Sequence, residues 1–143
     1  MAEQRGVEVR LTQDTKSDEY RNVTTLKAVL SDGTTVSAGG TVIGPKHQQK
    51  VVSINGYDVE LSMAEHLVVM VYQDRPGIVA IYGKAFAEAN INIAAMTIAR
   101  QQKGGKALSV ITVDSPVASA LLEKLRVEIQ ADSMRAISLT DEY

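Results

Sequence analysis

Three polar side chains stand where an apolar strand-like run meets a helix and where that helix meets the next strand. Tyr72 and Asp74 follow a valine-rich run, and Asn92 follows a stretch with helical periodicity. Peptide N–H groups at the start of a helix, here around Gly77 and Ile78, attract anions. A zwitterionic amino acid would suit this corner. Its ammonium would meet Asp74, its carboxylate would meet the helix-start amides, and the amide of Asn92 can both donate and accept hydrogen bonds.

The same residues also have a purely structural interpretation. Tyr72 and Asp74 should point to the same side of the strand by the period of two, and Asn92 is expected to return towards the same end of the sheet. Asp74 could instead cap the helix, while Asn90 and Asn92 only shape a turn. The residues alone leave both interpretations open.

A second group of candidate residues lies in a loop that begins with Gly44 and Pro45. Lys46, His47 and Lys50, with Arg21 expected nearby, could receive a phosphate or a carboxylate. The alternative is a solvated and mildly basic loop.

The rest of the composition excludes many kinds of active site. The 143 residues contain no cysteine and only two histidines, so thiol nucleophiles, cysteine-bound metals and three-histidine metal sites are excluded. No P-loop, G-x-S-x-G or GxGxxG motif is present, since residues 39–44 (GGTVIG) have the wrong spacing for the last of these. We therefore expect no catalytic residue, no metal ligand and no bound cofactor in this chain.

Charge, hydropathy and cysteine content indicate which kinds of partner and which cellular location to expect. The net charge is −2 and neither half of the chain is basic, so no nucleic-acid partner is expected. No apolar run is long enough for a membrane span. The lack of cysteine fits a cytoplasmic protein.

The first half of the chain is predicted to be rich in β-structure. Asp32-Gly33 and Asn55-Gly56 are hairpin-turn signals, and no convincing helix appears before Ser62. A half with so few strands has weak stability alone, so we expect it to pack against something else. The predicted strands are residues 7–12, 23–30, 35–43, 50–54 and 57–61.

The second half has the pattern of a β-α-β-β-α-β unit. Apolar positions at 78, 81, 82, 85, 86 and 89 predict a first helix that opens at residues 74–77, with Pro76 near its first turn. Ser115 is the expected N-cap of a second helix, with Pro116 at its first position. The predicted strands are residues 67–72, 91–99, 107–113 and 134–139. The expected fold class is α/β (α+β), with a β-rich portion over 1–62 and a ferredoxin-like unit over 65–143.

Residues 72–77 (YQDRPG) and 90–96 (NINIAAM) resemble the ACT domain of the long-form D-3-phosphoglycerate dehydrogenase family. The first half resembles part of that family's intervening, allosteric substrate-binding domain, through Gly44-Pro45, Lys50 and residues 54–57 (INGY). The resemblance implies an NAD-dependent parent oxidoreductase that opens serine biosynthesis and is inhibited by L-serine. It also implies that this chain is a C-terminal regulatory part, with the nucleotide-binding and catalytic domains outside it.

Carried over by position, the resemblance places Tyr72, Asp74 and Asn92 at a regulatory L-serine site. The site is expected between two ACT domains that pair side by side, so the chain should form a homodimer, with tetramer formation left open. Lys50 matches a basic position of the intervening domain's anion site. Ser62 and Thr112 stand where two further basic residues are expected, and they weaken the case for anion binding.

Two other functions remain open at this point. The β subunit of the iron–sulfur L-serine dehydratase also joins a similar intervening domain to an ACT domain, although Arg75-Pro76 and residues 94–96 look more like the dehydrogenase. The chain could also be an interaction module that only dimerises.

Overall fold

A computed structural model describes residues 8–13, 20 and 22–139 of the chain. Over these residues the fold is α+β, with two antiparallel four-stranded sheets and two helices. The strands are β1 (Thr24–Val29), β2 (Thr35–Ile43), β3 (Gln48–Ile54), β4 (Tyr57–Ser62), β5 (His66–Gln73), β6 (Ile93–Arg100), β7 (Lys106–Val113) and β8 (Ser133–Ser138). The helices are α1 (Ile78–Glu88) and α2 (Ser119–Ile129).

The first sheet is a meander in the order β1-β2-β3-β4. Its last hairpin turns at Asn55 and Gly56, which both have positive φ (49° and 78°), as a tight hairpin turn requires. The side chain of Asn55 also accepts a hydrogen bond from the Ser37 amide at 2.8 Å, which ties this turn to β2. The predicted strand over residues 7–12 is not formed, because residues 8–13 are exposed and outside both sheets. Residue 7 lies outside the described residues.

The second sheet has the order β6-β7-β5-β8, with α1 and α2 as the two crossover helices. This is the ferredoxin-like β-α-β-β-α-β arrangement that the sequence predicts. The helices cover one face of the sheet, where Met70, Phe86, Ile111 and Leu125 belong to a common buried core.

Both helices begin later than the sequence analysis predicts. The N-cap of α1 is Gly77 in a left-handed conformation (φ 92°), so Pro76 precedes the helix. The N-cap of α2 is Ala118, three residues after the predicted cap Ser115. In both cases proline marks the approach to a helix and not its first turn, because a later residue, Gly77 (φ 92°) or Ala118 (ψ 139°), still has a non-helical backbone conformation.

The second face of the second sheet is covered by the first half of the chain. Tyr57, Val59 and Leu61 point from β4 onto Leu67 and Leu108, and all five side chains are buried. The alternation of buried and exposed residues along β4 produces this contact, since every second side chain faces the second sheet. The β-rich half therefore gains the packing partner that the sequence analysis expects for it.

Tyr82 should make the folded state sensitive to alkaline pH. Burial and, to a smaller extent, the neighbouring Tyr72 raise the pKa of Tyr82, and a hydrogen bond with Ser109 opposes them, so that the pKa rises to about 12. The folded protein therefore holds this proton more tightly than the unfolded chain does, so the contribution is present below about pH 10 and is lost as the pH rises towards 12. We expect Tyr82 to account for about 1 kcal/mol of the stability lost by pH 11. Urea unfolding of the native chain and of Tyr82→Phe at pH 8 and pH 11 measures this difference, and equal losses in both proteins would contradict it.

Candidate functional site

Tyr72 lies in the core and not on an open surface. It is near the end of β5, only 2% exposed, on the face that the helices cover. Its hydroxyl lies 2.9 Å from Oγ of the buried Ser109 on β7. The sequence analysis missed Ser109, although the pairing of β5 with β7 brings the two strands together. Tyr72 therefore supports the candidate site from beneath, through a buried hydrogen bond.

Removing the Tyr72 hydroxyl should cost about 1 kcal/mol of unfolding free energy, because Ser109 loses its partner in a buried position. Tyr72→Phe and Ser109→Ala should each destabilise the chain, and the double variant should be less destabilised than the sum of the two. Urea denaturation of the three variants gives the coupling energy. Strict additivity would show that the two hydroxyls do not interact.

Asp74 lies at the carboxyl end of β5 and forms an ion pair with Arg100. Its backbone amide donates to the Gly105 carbonyl at 2.8 Å, and its Oδ2 accepts from the Arg100 guanidinium at 3.0 Å. The Asp74 side chain is 23% exposed and that of Arg100 is 56% exposed. The sequence analysis missed Arg100, which ends β6. The sheet register connects the two, since Arg100 pairs with Ala107 and Ala107 pairs with Tyr72.

The start of α1 has no side-chain cap. Gly77 occupies the N-cap, and no side chain of the described residues hydrogen-bonds to the amides of the first turn. Asp74 therefore does not cap this helix, and the purely structural interpretation of that residue is not realised. Uncapped amides at a helix start favour an anion. The loop before the helix is fixed by Arg75, whose guanidinium donates to the Ile129 carbonyl at the end of α2 at 2.8 Å.

Asn92 lies at the other end of the sheet, and the expectation that it returns to the end occupied by Asp74 is wrong. Ile93 pairs with Val113, which pairs with His66 at the beginning of β5. Helix α1 runs back along β5, so the residues after it reach the end where β5 begins. Asp74 and Asn92 of one chain are therefore separated by about the length of β5, which is about 25 Å. Asn92 there donates to Oδ2 of Asp114 at 2.8 Å.

Two of the basic residues proposed for the anion site lie in one turn, and a third lies farther along the chain. Lys46 and His47 are exposed in the turn before β3, and His47 lines a depression of about 720 Å³ with Pro45. Lys50 lies farther along β3, where its Nζ is 4.0 Å from a carboxylate oxygen of Glu60. Arg21 lies outside the described residues.

Ser62 and Thr112, which stand where two further basic residues of the anion site are expected, both lie in strands. Ser62 is the cross-strand neighbour of Lys50. Thr112 is buried on β7, and its hydroxyl donates to the Ala95 carbonyl at 3.3 Å. Lys50 therefore faces a carboxylate and has no second cation from either position.

The described residues contain neither a candidate metal site nor a candidate membrane-spanning helix. Over 8–13, 20 and 22–139, no three carboxylate or histidine side chains come together as a metal site. Neither helix in this part of the chain is long and apolar enough to cross a membrane.

Comparison with known proteins identifies relatives of this chain. Residues 66–130 match the family model of the ACT domain. The D-3-phosphoglycerate dehydrogenase of Mycobacterium leprae is 29% identical over 140 residues, which are 98% of this chain and 26% of that enzyme. The enzyme of the same name from Bacillus subtilis is 27% identical over 97% of the chain, and that from Archaeoglobus fulgidus is 27% identical over 87%. The chain thus spans about a quarter of the length of these relatives.

Proposed function

Because this chain contains an ACT domain and is related over nearly its whole length to D-3-phosphoglycerate dehydrogenases, we propose that it is the regulatory region of such an enzyme and binds L-serine. The relationship itself supports a regulatory role. We further propose that L-serine is the effector and that the chain divides into two domains at residues 62–65. The parent enzyme would be an NAD-dependent dehydrogenase that opens serine biosynthesis and is under feedback control.

The observation that carries the proposal is the placement of Asp74 and Asn92 at opposite ends of β6. Strand β6 is an edge of its sheet, with β7 as its only hydrogen-bonded neighbour among the described strands. If a second copy pairs antiparallel with β6 about its midpoint, residue 92 of that copy comes level with residue 101 of the first. Asn92 of the second copy then lies beside the end of β6, where Arg100 reaches Asp74, and each dimer has two equivalent sites.

The surface beside this edge supports such a pairing. Met96 and Ile98 of β6 and Val79 of α1 are each more than 40% exposed. They form an apolar strip beside an unpaired strand edge, which is the kind of surface that a second chain covers. A hydrogen bond from Tyr82 to the Met96 sulfur ties the two elements together at 2.6 Å.

The chemistry of the composite site fits a small amino acid. The ligand ammonium would meet the Asp74 carboxylate, and the ligand carboxylate would meet the uncapped amides at the start of α1. Asn92 of the second copy would donate to, or accept from, the remaining polar groups. Buried Tyr72 would hold the end of β5 in place below the ligand.

Regulation would follow from linkage. L-Serine would stabilise the paired arrangement by its difference in affinity for the paired and unpaired states. A coupling of about 1–3 kcal/mol is ordinary for a switch of this kind. Strand β4 of the first half packs on the second face of the ACT sheet. Through this contact, a change in the sheet when L-serine binds would be felt by the first half of the chain.

Isothermal titration of the chain with L-serine tests the proposal, with D-serine as the matched ligand of opposite hand. We expect saturable heat for L-serine and an increase in unfolding free energy of about 2.7 kcal/mol at a hundredfold excess over Kd. The absence of both effects at millimolar L-serine would leave a dimerisation-only module as the better description.

A further inference from the structure

The ion pair between Asp74 and Arg100 places a positive charge beside the carboxylate that is proposed to bind the effector's ammonium. The Arg100 guanidinium forms an ion pair with Oδ2 of Asp74 at 3.0 Å, and its side chain is 56% exposed. Arg100 also lines a depression of about 520 Å³ with Tyr57, Asp58 and Gln101. Asp74 does not line this depression, and it is the exposure of the Arg100 side chain that leaves the guanidinium accessible to a second anionic group.

We propose that Arg100 makes this site selective for zwitterionic amino acids over amines that lack a carboxylate, an inference that rests on the proposed effector site. A ligand with only an ammonium would bring a second cation to Asp74 within a few ångströms of Arg100, and the two like charges would repel. In a zwitterion, the carboxylate that is proposed to meet the helix-start amides would also offset this repulsion by its attraction to the nearby guanidinium. Arginine suits this role because its planar group donates to carboxylates in a fixed geometry.

Asp74 and Arg100 together form an electrically neutral pair of groups that could bind a zwitterion. Asp74 and Arg100 have a combined charge of zero, and so does a free amino acid near neutral pH. Asp58 lines the same depression but is not within ion-pair distance of Arg100. The guanidinium is therefore held by one carboxylate only among the described residues, which leaves donors for the ligand.

The test compares L-serine with L-serinamide, which keeps the ammonium and the hydroxyl but lacks the carboxylate. Titrations at about pH 6, below the pKa of an α-amino group, keep both ligands protonated. In the native chain, the Kd of L-serinamide should exceed that of L-serine. We expect Arg100→Gln to lower this ratio, Kd of serinamide over Kd of serine, by about tenfold or more, because one charge-assisted contact to the serine carboxylate is lost. Arg126→Gln removes an exposed arginine that pairs with Glu123 on α2, and it should leave the ratio unchanged.

Each outcome of this comparison decides the proposal. Arg100→Lys keeps the charge and should keep most of the selectivity. If Arg100→Gln binds serine too weakly to titrate while Arg100→Lys still binds it, the charge at residue 100 is required and the proposal stands. A wild-type ratio in Arg100→Gln, or loss of serine binding in both variants with an intact fold, would overturn it. Failure of the native chain to bind L-serine would contradict the proposed function itself.

Discussion

Replacement of Asp74 by asparagine is expected to weaken L-serine binding by at least about thirtyfold. The change removes the negative charge that is proposed to meet the ligand ammonium, and it leaves the Arg100 guanidinium without its carboxylate partner. Truncating one member of a partly buried charge pair costs 2 kcal/mol or more, and about 2 kcal/mol corresponds to this change in Kd. Asparagine has the same shape as aspartate, so the fold should be retained. Calorimetric titration measures the affinity, and circular dichroism checks the fold.

Asp132→Asn is the matched control for this prediction. Asp132 forms an ion pair with Lys106 at 2.6 Å, but it precedes β8, which is the sheet edge opposite β6. Its removal should change serine affinity by no more than about twofold. If Asp74→Asn behaves like this control, the effector site does not include Asp74.

Replacement of Leu108 by alanine is expected to lower the free energy of unfolding by about 2–5 kcal/mol. Leu108 is fully buried on β7, where it meets the side chains that β4 presents from the other sheet. Its loss leaves a cavity between the two sheets, and the neighbouring strands cannot close it without losing their register. Urea denaturation measures the difference.

Leu26→Ala is the corresponding control, because Leu26 is an exposed leucine on β1. We expect it to change stability by no more than about 0.5 kcal/mol. Equal effects of the two substitutions would mean that the contact between the sheets contributes little to folding. Such a result would also count against the proposed route by which effector binding would influence the first half.

The strand pattern was predictable because it rests on local signals. Turn residues such as Gly33 and Asn55-Gly56 adopt the positive φ values that their types permit, and the strands on either side follow at the expected places. The first residues of the helices were harder to predict than the strands. Pro76 and Pro116 suggested first-turn positions, but Gly77 and Ala118 became the caps, and this choice depends on how the helices pack on the sheet.

The arrangement of the site was only partly accessible from the sequence. Tyr72 and Asp74 were placed at the correct end of their strand by local reasoning. The partners Ser109 and Arg100 lie 37 and 26 residues away along the chain, and only the sheet register brings them close. The position of Asn92 was misjudged because the direction of the crossover helix decides the end of the sheet at which it emerges.

The central claim is that each effector site combines Asp74 of one chain with Asn92 of another. The most direct test mixes two variants that should each bind L-serine weakly, Asp74→Asn and Asn92→Ala. Each variant alone has a defect in every site of its homodimer. In a hybrid dimer, one site has both defects and the other has the native Asp74 and the native Asn92. The account predicts that dissociation and reassociation of the mixture restores L-serine binding of native affinity, at one site per hybrid dimer. Reassociated hybrids that bind no more L-serine than the separate variants would contradict it.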